Sequence, residues 1–293
     1  MGAEHMQNNN EAWKKKYLRR LNNITVIVIV VFSILHFGGF AIKGVWNVSK
    51  NLTSSFLGLF GFQSSGNSRV VDSGISQTDS FNRIEGTLDL GDISIVYGDD
   101  YCVEMKNYTE DTIPTAEISN GTLKLKQKQK KKDVFGNNLP NNAMVIITLP
   151  EGTEPELDLK LSMGSMDLKN LSMQKVKLDL NMGSISLSDC EMDDVNISAD
   201  MGAVDLNSCS FDEGSFDANM GGITLRNCSF DSADCDADMG AITVSGSFDE
   251  LTADCDMGSI DVSNSREDAK YELDADMGRI TVNGKDQGGK YKN

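Results

Sequence analysis

The dipeptide Met-Gly recurs seven times in the second half of the chain, as Met163-Gly164, Met182-Gly183, Met201-Gly202, Met220-Gly221, Met239-Gly240, Met257-Gly258 and Met277-Gly278. Successive methionines are 19, 19, 19, 19, 18 and 20 residues apart. A fixed period of this length marks a solenoid, in which each repeat is one coil and neighbouring coils bury each other's apolar edges. Four and two residues before each Met stand apolar side chains, from Leu159 and Leu161 in the first copy to Leu273 and Ala275 in the last. Three and five residues after it stand another pair, from Met166 and Leu168 to Ile280 and Val282. Both sets alternate with mostly polar residues, which predicts two short strands per coil with their apolar faces inward. The glycine is the corner between them, and the methionine is expected to fill the interior beside it. A third inward row follows, with Leu171, Cys190, Cys209 and Cys228 in one place and Met173, Met192, Phe211 and Phe230 two residues on. Parallel, in-register coils about 4.8 Å apart would make the seven rungs a column of roughly 34 Å.

Ahead of the repeat the chain changes character several times. Residues 1–23 are a basic tail, with Lys14, Lys15, Lys16, Arg19 and Arg20 just before an apolar run, Ile24 to Ile42, that holds no charged residue. A run of that length spans a bilayer core, and the basic cluster places the N-terminus in the cytoplasm and the rest of the chain outside. The sequence is therefore read as a single-pass cell-membrane protein with a signal anchor over 24–42 and an extracytoplasmic C-terminal domain. A cleaved signal peptide is the competing reading, against which stand the long charged region before the run and the absence of an A-x-A-like site after it. Residues 43–80 are rich in Gly, Ser and Asn and read as a juxtamembrane linker, with Phe56 to Phe62 as an aromatic patch near the membrane surface. From 81 the pattern is that of strands, as in Asp92-Ile93-Ser94-Ile95-Val96 and Val145-Ile146-Ile147-Thr148-Leu149. Residues 81–150 form the N-terminal β part of the domain, 151–285 the Met-Gly solenoid and 286–293 a polar tail. The fold class expected is all-β, a single-stranded parallel β-solenoid (β-helix) with coils of about 19 residues, preceded by one transmembrane helix.

Charge narrows the partners. The chain has 27 basic against 44 acidic residues, a balance of −17, and residues 151–293 alone carry 11 against 30, or −19. Nucleic acid rewards the opposite composition. The only histidines, His5 and His36, lie in the first 42 residues, so the domain beyond lacks the usual general base. Acidic side chains repeat at outward positions, and Asp236, Asp238, Asp254, Asp256, Asp274 and Asp276 form two adjacent rows in the last coils. Such rows repel, and a bound calcium ion would relieve them. The alternative is a solvated face, because the glycine-rich nonapeptide of calcium-binding β-rolls is absent. No other cofactor is implied. Positive charge gathers once, at Lys124, Lys126, Lys128, Lys130, Lys131 and Lys132, which could engage an anionic surface or simply protect a strand edge from aggregation. Five of the six cysteines fall at inward positions, where buried thiols and cross-coil disulfides are both open.

The strand pair Gly91-Asp92-Ile93-Ser94-Ile95, then Gly121-Thr122-Leu123-Lys124-Leu125, then Ile146-Ile147-Thr148-Leu149-Pro150, followed by glycine-led alternating repeats, resembles the bacterial putative-adhesin family, a domain of unknown function in β-strand-repeat envelope proteins. The resemblance runs from about Phe81 to Val282. It implies an envelope β-solenoid, found in some members near envelope-stress regulators, with no catalytic residues to carry over. The reading that follows is a non-catalytic module that binds a protein or a cell-envelope polymer. Two alternatives stand beside it: an envelope-stress regulatory or scaffold protein signalling through its anchor, and a polysaccharide-active β-helix enzyme. For the last, an active site needs one differentiated cleft, whereas these acidic residues repeat at every coil. An uncapped last coil would leave a strand edge for end-to-end self-association.

Overall fold

The computed structural model describes residues 70–76, 79–127 and 142–293. The apolar run 24–42, the aromatic patch 56–62 and Lys128, Lys130, Lys131 and Lys132 lie outside the described residues. Among those described there is no helix, and hence none long and apolar enough to cross a membrane. Seven strands precede the repeat: β1 (Val70–Ser76), β2 (Arg83–Leu88), β3 (Asp92–Gly98), β4 (Cys102–Thr109), β5 (Thr115–Ser119), β6 (Thr122–Lys126) and β7 (Met144–Pro150). The repeat itself is β8 (Glu156–Lys169), β9 (Ser172–Ser188), β10 (Glu191–Asn207), β11 (Ser210–Met220), β12 (Ile223–Asn264) and β13 (Lys270–Val282).

These last six make a parallel β-solenoid of about seven turns. Its register is the one the 19-residue period requires, with Met163 beside Met182, Met182 beside Met201, Met201 beside Met220, and Met257 beside Met277. Ladder hydrogen bonding continues through the corner, so that β8, β9 and β10 each bend at their Met-Gly rather than break there. Glycine permits this because the corners stack backbone on backbone. A Cβ on Gly183 would meet the carbonyl oxygen of Gly164, one on Gly202 that of Gly183, and so on through Gly221, Gly240, Gly258 and Gly278. Seven residues after the Met comes a second corner, at Asn170, Asp189, Ser208 and Asn227, with φ of 53°, 54°, 56° and 52°. Short side chains that bond locally tolerate this left-handed conformation best.

The first coil precedes the Met-Gly series. β2 and β3 stack in parallel on the two halves of β8, and Leu90-Gly91 takes the corner, its Gly91 N–H donating to the Met163 carbonyl at 3.0 Å. One step further out, β6 lies parallel to β2 and β7 parallel to β3. The N-terminal end then departs from a single-stranded parallel coil, because β4 and β5 run antiparallel to β7 and β6, and β1 runs antiparallel to β4. β1 lies within the stretch expected to be linker, where its few apolar residues give only an edge-strand pattern. Tyr108, fully buried, and Gln127 do the work of a preceding coil at the first corner: the tyrosine hydroxyl donates to Leu90 O at 3.3 Å and the amide oxygen accepts from Asp89 N and Leu90 N at 2.7 and 3.0 Å.

At the other end, the polar tail 286–293 contributes to two short strands. β14 (Lys285–Gly288) and β15 (Lys290–Lys292) pair antiparallel with β13 and take up its outer edge. The uncapped edge on which end-to-end association depends is thus covered at this end. Inside, the core is apolar apart from Thr109 and the hydroxyl-bearing Tyr108 and Tyr271 among the described residues. Both strand rows and the third row expected from the sequence are buried, including Cys190, Cys209, Cys228, Cys235 and Cys255. A further inward row, six residues before the Met, holds Val176, Val195, Ala233 and Leu251.

Candidate functional site

With an apolar interior, all chemistry lies on the outer faces. The corner row corrects the sequence-based expectation most clearly, because the methionines do not fill the core. Met201, Met257 and Met277 are 42%, 41% and 67% exposed, and Met163, Met182, Met220 and Met239 are half-buried. Alternation along the strand would turn the Met inward, but the bend at the following glycine rotates it out. The inward positions on either side, such as Cys255 and Ile260, are fully buried.

Beside that row run the carboxylates. Asp217 is in register with Asp236, and Asp254 with Asp274, on the outer side of strands whose inner side is core. Asp236 is pushed up to about 6, first by loss of hydration and then by the charges of Asp217, Asp238, Asp254 and Asp256. Asp217 and Asp254 are raised for the same reasons. The row of Asp217, Asp236 and Asp254 is met by lysine at its ends, where Lys290 pairs with Asp274 at 2.5 Å and Lys160 with Asp179 at 2.8 Å. Among the described residues no three His, Cys, Asp or Glu side chains gather as a metal-holding group, so the six calcium candidates stand as open rows rather than a cage.

On the flank after the second corner a shallow groove of about 320 Å³ crosses several coils. It is lined by Ser172, Ser210 and Ser229, by Asp193, Asp212 and Asp231, and by Arg266 at its far end, where the guanidinium pairs with Asp249. Tyr97 anchors the near end, its hydroxyl donating to Thr153 O at 2.9 Å and accepting from Ser172 N at 3.1 Å. Chemically similar groups recur along the groove at each coil, and no nucleophile or base is singled out. The basic run is split: Lys124 and Lys126 are exposed on β6, and Lys124 stands in register between Glu85 and Glu117, which offset its charge. All six cysteines are free; burial raises the Cys228 thiol to about 12, and Cys190 is held high by its hydrogen bond with Cys209 and by burial. Sequence reasoning missed the groove, because its residues fall where the polar positions of successive coils meet and no single repeat contains it.

Together these elements make a capped β-solenoid with an apolar core, repeated polar outer faces and a corner row of methionines. The sequence profile described as Toastrack DUF4097 matches residues 81–292, and the chain belongs to that family. The match begins at Phe81 and takes in β4, β5, β14 and β15, while β1 lies ahead of it. Among solved structures, a putative adhesin from Bacteroides fragilis shares this fold, at 17% identity and a TM-score of 0.52 over 73% of this chain and 96% of that one. A putative adhesin from Parabacteroides merdae is 16% identical, with a TM-score of 0.46 over 74% and 96% of the two chains. A putative lipid binding protein from Parabacteroides distasonis is 18% identical, with a TM-score of 0.43 over 75% and 96%. No curated protein matches the chain significantly.

Proposed function

We propose that this protein is a membrane-anchored, extracytoplasmic binding module that engages a protein or cell-envelope polymer along the side of its solenoid and performs no chemistry on it. The observation that carries this reading is the groove in which Ser172, Glu191, Ser210 and Ser229 stand in one register row and Asp193, Asp212 and Asp231 follow two residues on in the last three, so that hydroxyl or carboxylate groups are offered on successive coils. A stacked face of this kind matches an extended partner with a regular repeat, whereas catalysis needs one differentiated cleft. The apolar run 24–42 supports the anchor, and the basic residues before it support an outward-facing domain. The test is in-cell crosslinking of the full chain in its membrane, comparing wild type with the triple variant Asp193→Asn, Asp212→Asn, Asp231→Asn. Loss of the crosslinked species in the variant, at equal abundance in the membrane, is the expected result. An unchanged crosslinking pattern would move the binding face elsewhere.

A further inference from the structure

At the C-terminal part of the corner, Met257 and Met277 are exposed and put to use by neither packing nor the groove, with Met239 half-buried beside them. An unbranched apolar side chain that is 41–67% exposed contributes little to the core. Nor does the corner require methionine for its shape, since Leu90 occupies the same place, half-buried, beside Gly91 in the first coil. What a methionine offers in place of leucine at an open position is its sulfur. Met257 lies in register with Met277, and Gly258 lies against Gly240, so these thioethers project from neighbouring coils whose backbones are about 4.8 Å apart. A soft ion between two of them, with metal–sulfur bonds of about 2.3 Å, spans about 4.6 Å, and three rotatable bonds per side chain take up the remainder. In the last three coils an aspartate precedes each methionine, so Asp238, Asp256 and Asp276 lay negative charge alongside Met239, Met257 and Met277.

We propose that the C-terminal part of this corner, Met239, Met257 and Met277, is a thioether site for a soft monovalent cation, copper(I) or silver(I). Thioethers select such ions over calcium, magnesium or zinc, and the adjacent carboxylates supply charge without being required as ligands. Binding involves no electron transfer: the ion enters and leaves as the monovalent species. The assignment is independent of the groove and of the membrane placement.

The test is anaerobic titration of the full chain in detergent with copper(I), under a reductant and against a chromophoric copper(I) chelator, followed by the same titration with silver(I). Wild type should withdraw copper(I) from the chelator, and the triple variant Met239→Leu, Met257→Leu, Met277→Leu should bind it at least about tenfold more weakly while melting at the same temperature. Met166→Leu, a buried position on the next strand row, should bind as wild type does. Thioethers carry no proton, so acidifying from about pH 7.5 to about pH 5.5 should lower the affinity less than about threefold, whereas thiolate or imidazole ligands would lose far more. No copper(I) withdrawn by wild type, equal affinity in the triple variant, or collapse of binding on acidification would each overturn the assignment.

Discussion

At the scale of single residues, the corner glycines set the limit on what this fold tolerates. Gly221 has φ of 155°, and a Cβ there would run into the carbonyl group of Gly202 in the preceding coil. Neither neighbour can withdraw without breaking the ladder. Gly221→Ala should therefore destabilise the domain by about 2–4 kcal/mol in urea unfolding, and a loss below about 0.5 kcal/mol would show that the corner has room. Asp236 carries the second expectation. Its pKa rises from 3.8 in the unfolded chain to about 6 in the fold. Between those values the folded chain keeps a proton that the unfolded one has released, so stability falls as pH rises through that window, and the penalty is complete above it. Asp236→Asn should flatten this slope and melt higher than wild type near neutral pH. A parallel melting profile for the two would mean that the carboxylate row is fully hydrated. The glycine ladder was legible in the sequence because one small residue recurs at one period. The outward turn of the methionine was not, because strand alternation holds only up to the bend and the bend itself decides the side chain's direction.

At the scale of the element, the coil is held by what fills it. Phe211, Phe230 and Phe248 stack in three successive coils, with ring centroids 4.8 and 4.6 Å apart and planes within 5° and 4° of parallel. Phe230 is 4% exposed and flanked on both faces by a ring. Phe230→Ala removes the middle of the stack and should cost about 3–5 kcal/mol by urea unfolding. A cost near 1 kcal/mol would mean that the neighbouring rings collapse into the gap. Volume is balanced in the preceding coil, where Gly214 faces Phe211 and Phe216, and a Cβ there would approach each ring to 2.6 Å. Phe211 and Phe230 were legible as equivalent positions. Phe248 was not, because the coil from Met239 to Met257 is one residue short and the shift falls before it. The second corner also escaped sequence reading, since Asn, Asp and Ser share a tolerance for positive φ but no common letter.

At the scale of the whole molecule, the regular column was legible and its ends were not. Parallel stacking, the coil length and the three inward rows follow from a period that repeats seven times. The antiparallel strands β1, β4 and β5 at one end and β14 and β15 at the other are unique segments, and pairing between unique segments leaves no periodic trace. The acidic balance also finds its place, as rows on the outer face, one of them terminated by Lys160 and Lys290. All of this rests on the division between an apolar inside and an outer surface that includes the thioether corner. Methionine oxidation of the folded full chain by limiting hydrogen peroxide, mapped peptide by peptide by mass spectrometry, tests that division directly. Met277 should oxidise first, followed by Met201 and Met257, while Met105, Met166 and Met173 stay reduced until the chain is unfolded. Oxidation of the two groups at equal rates, or of Met166 ahead of Met277, would contradict the account.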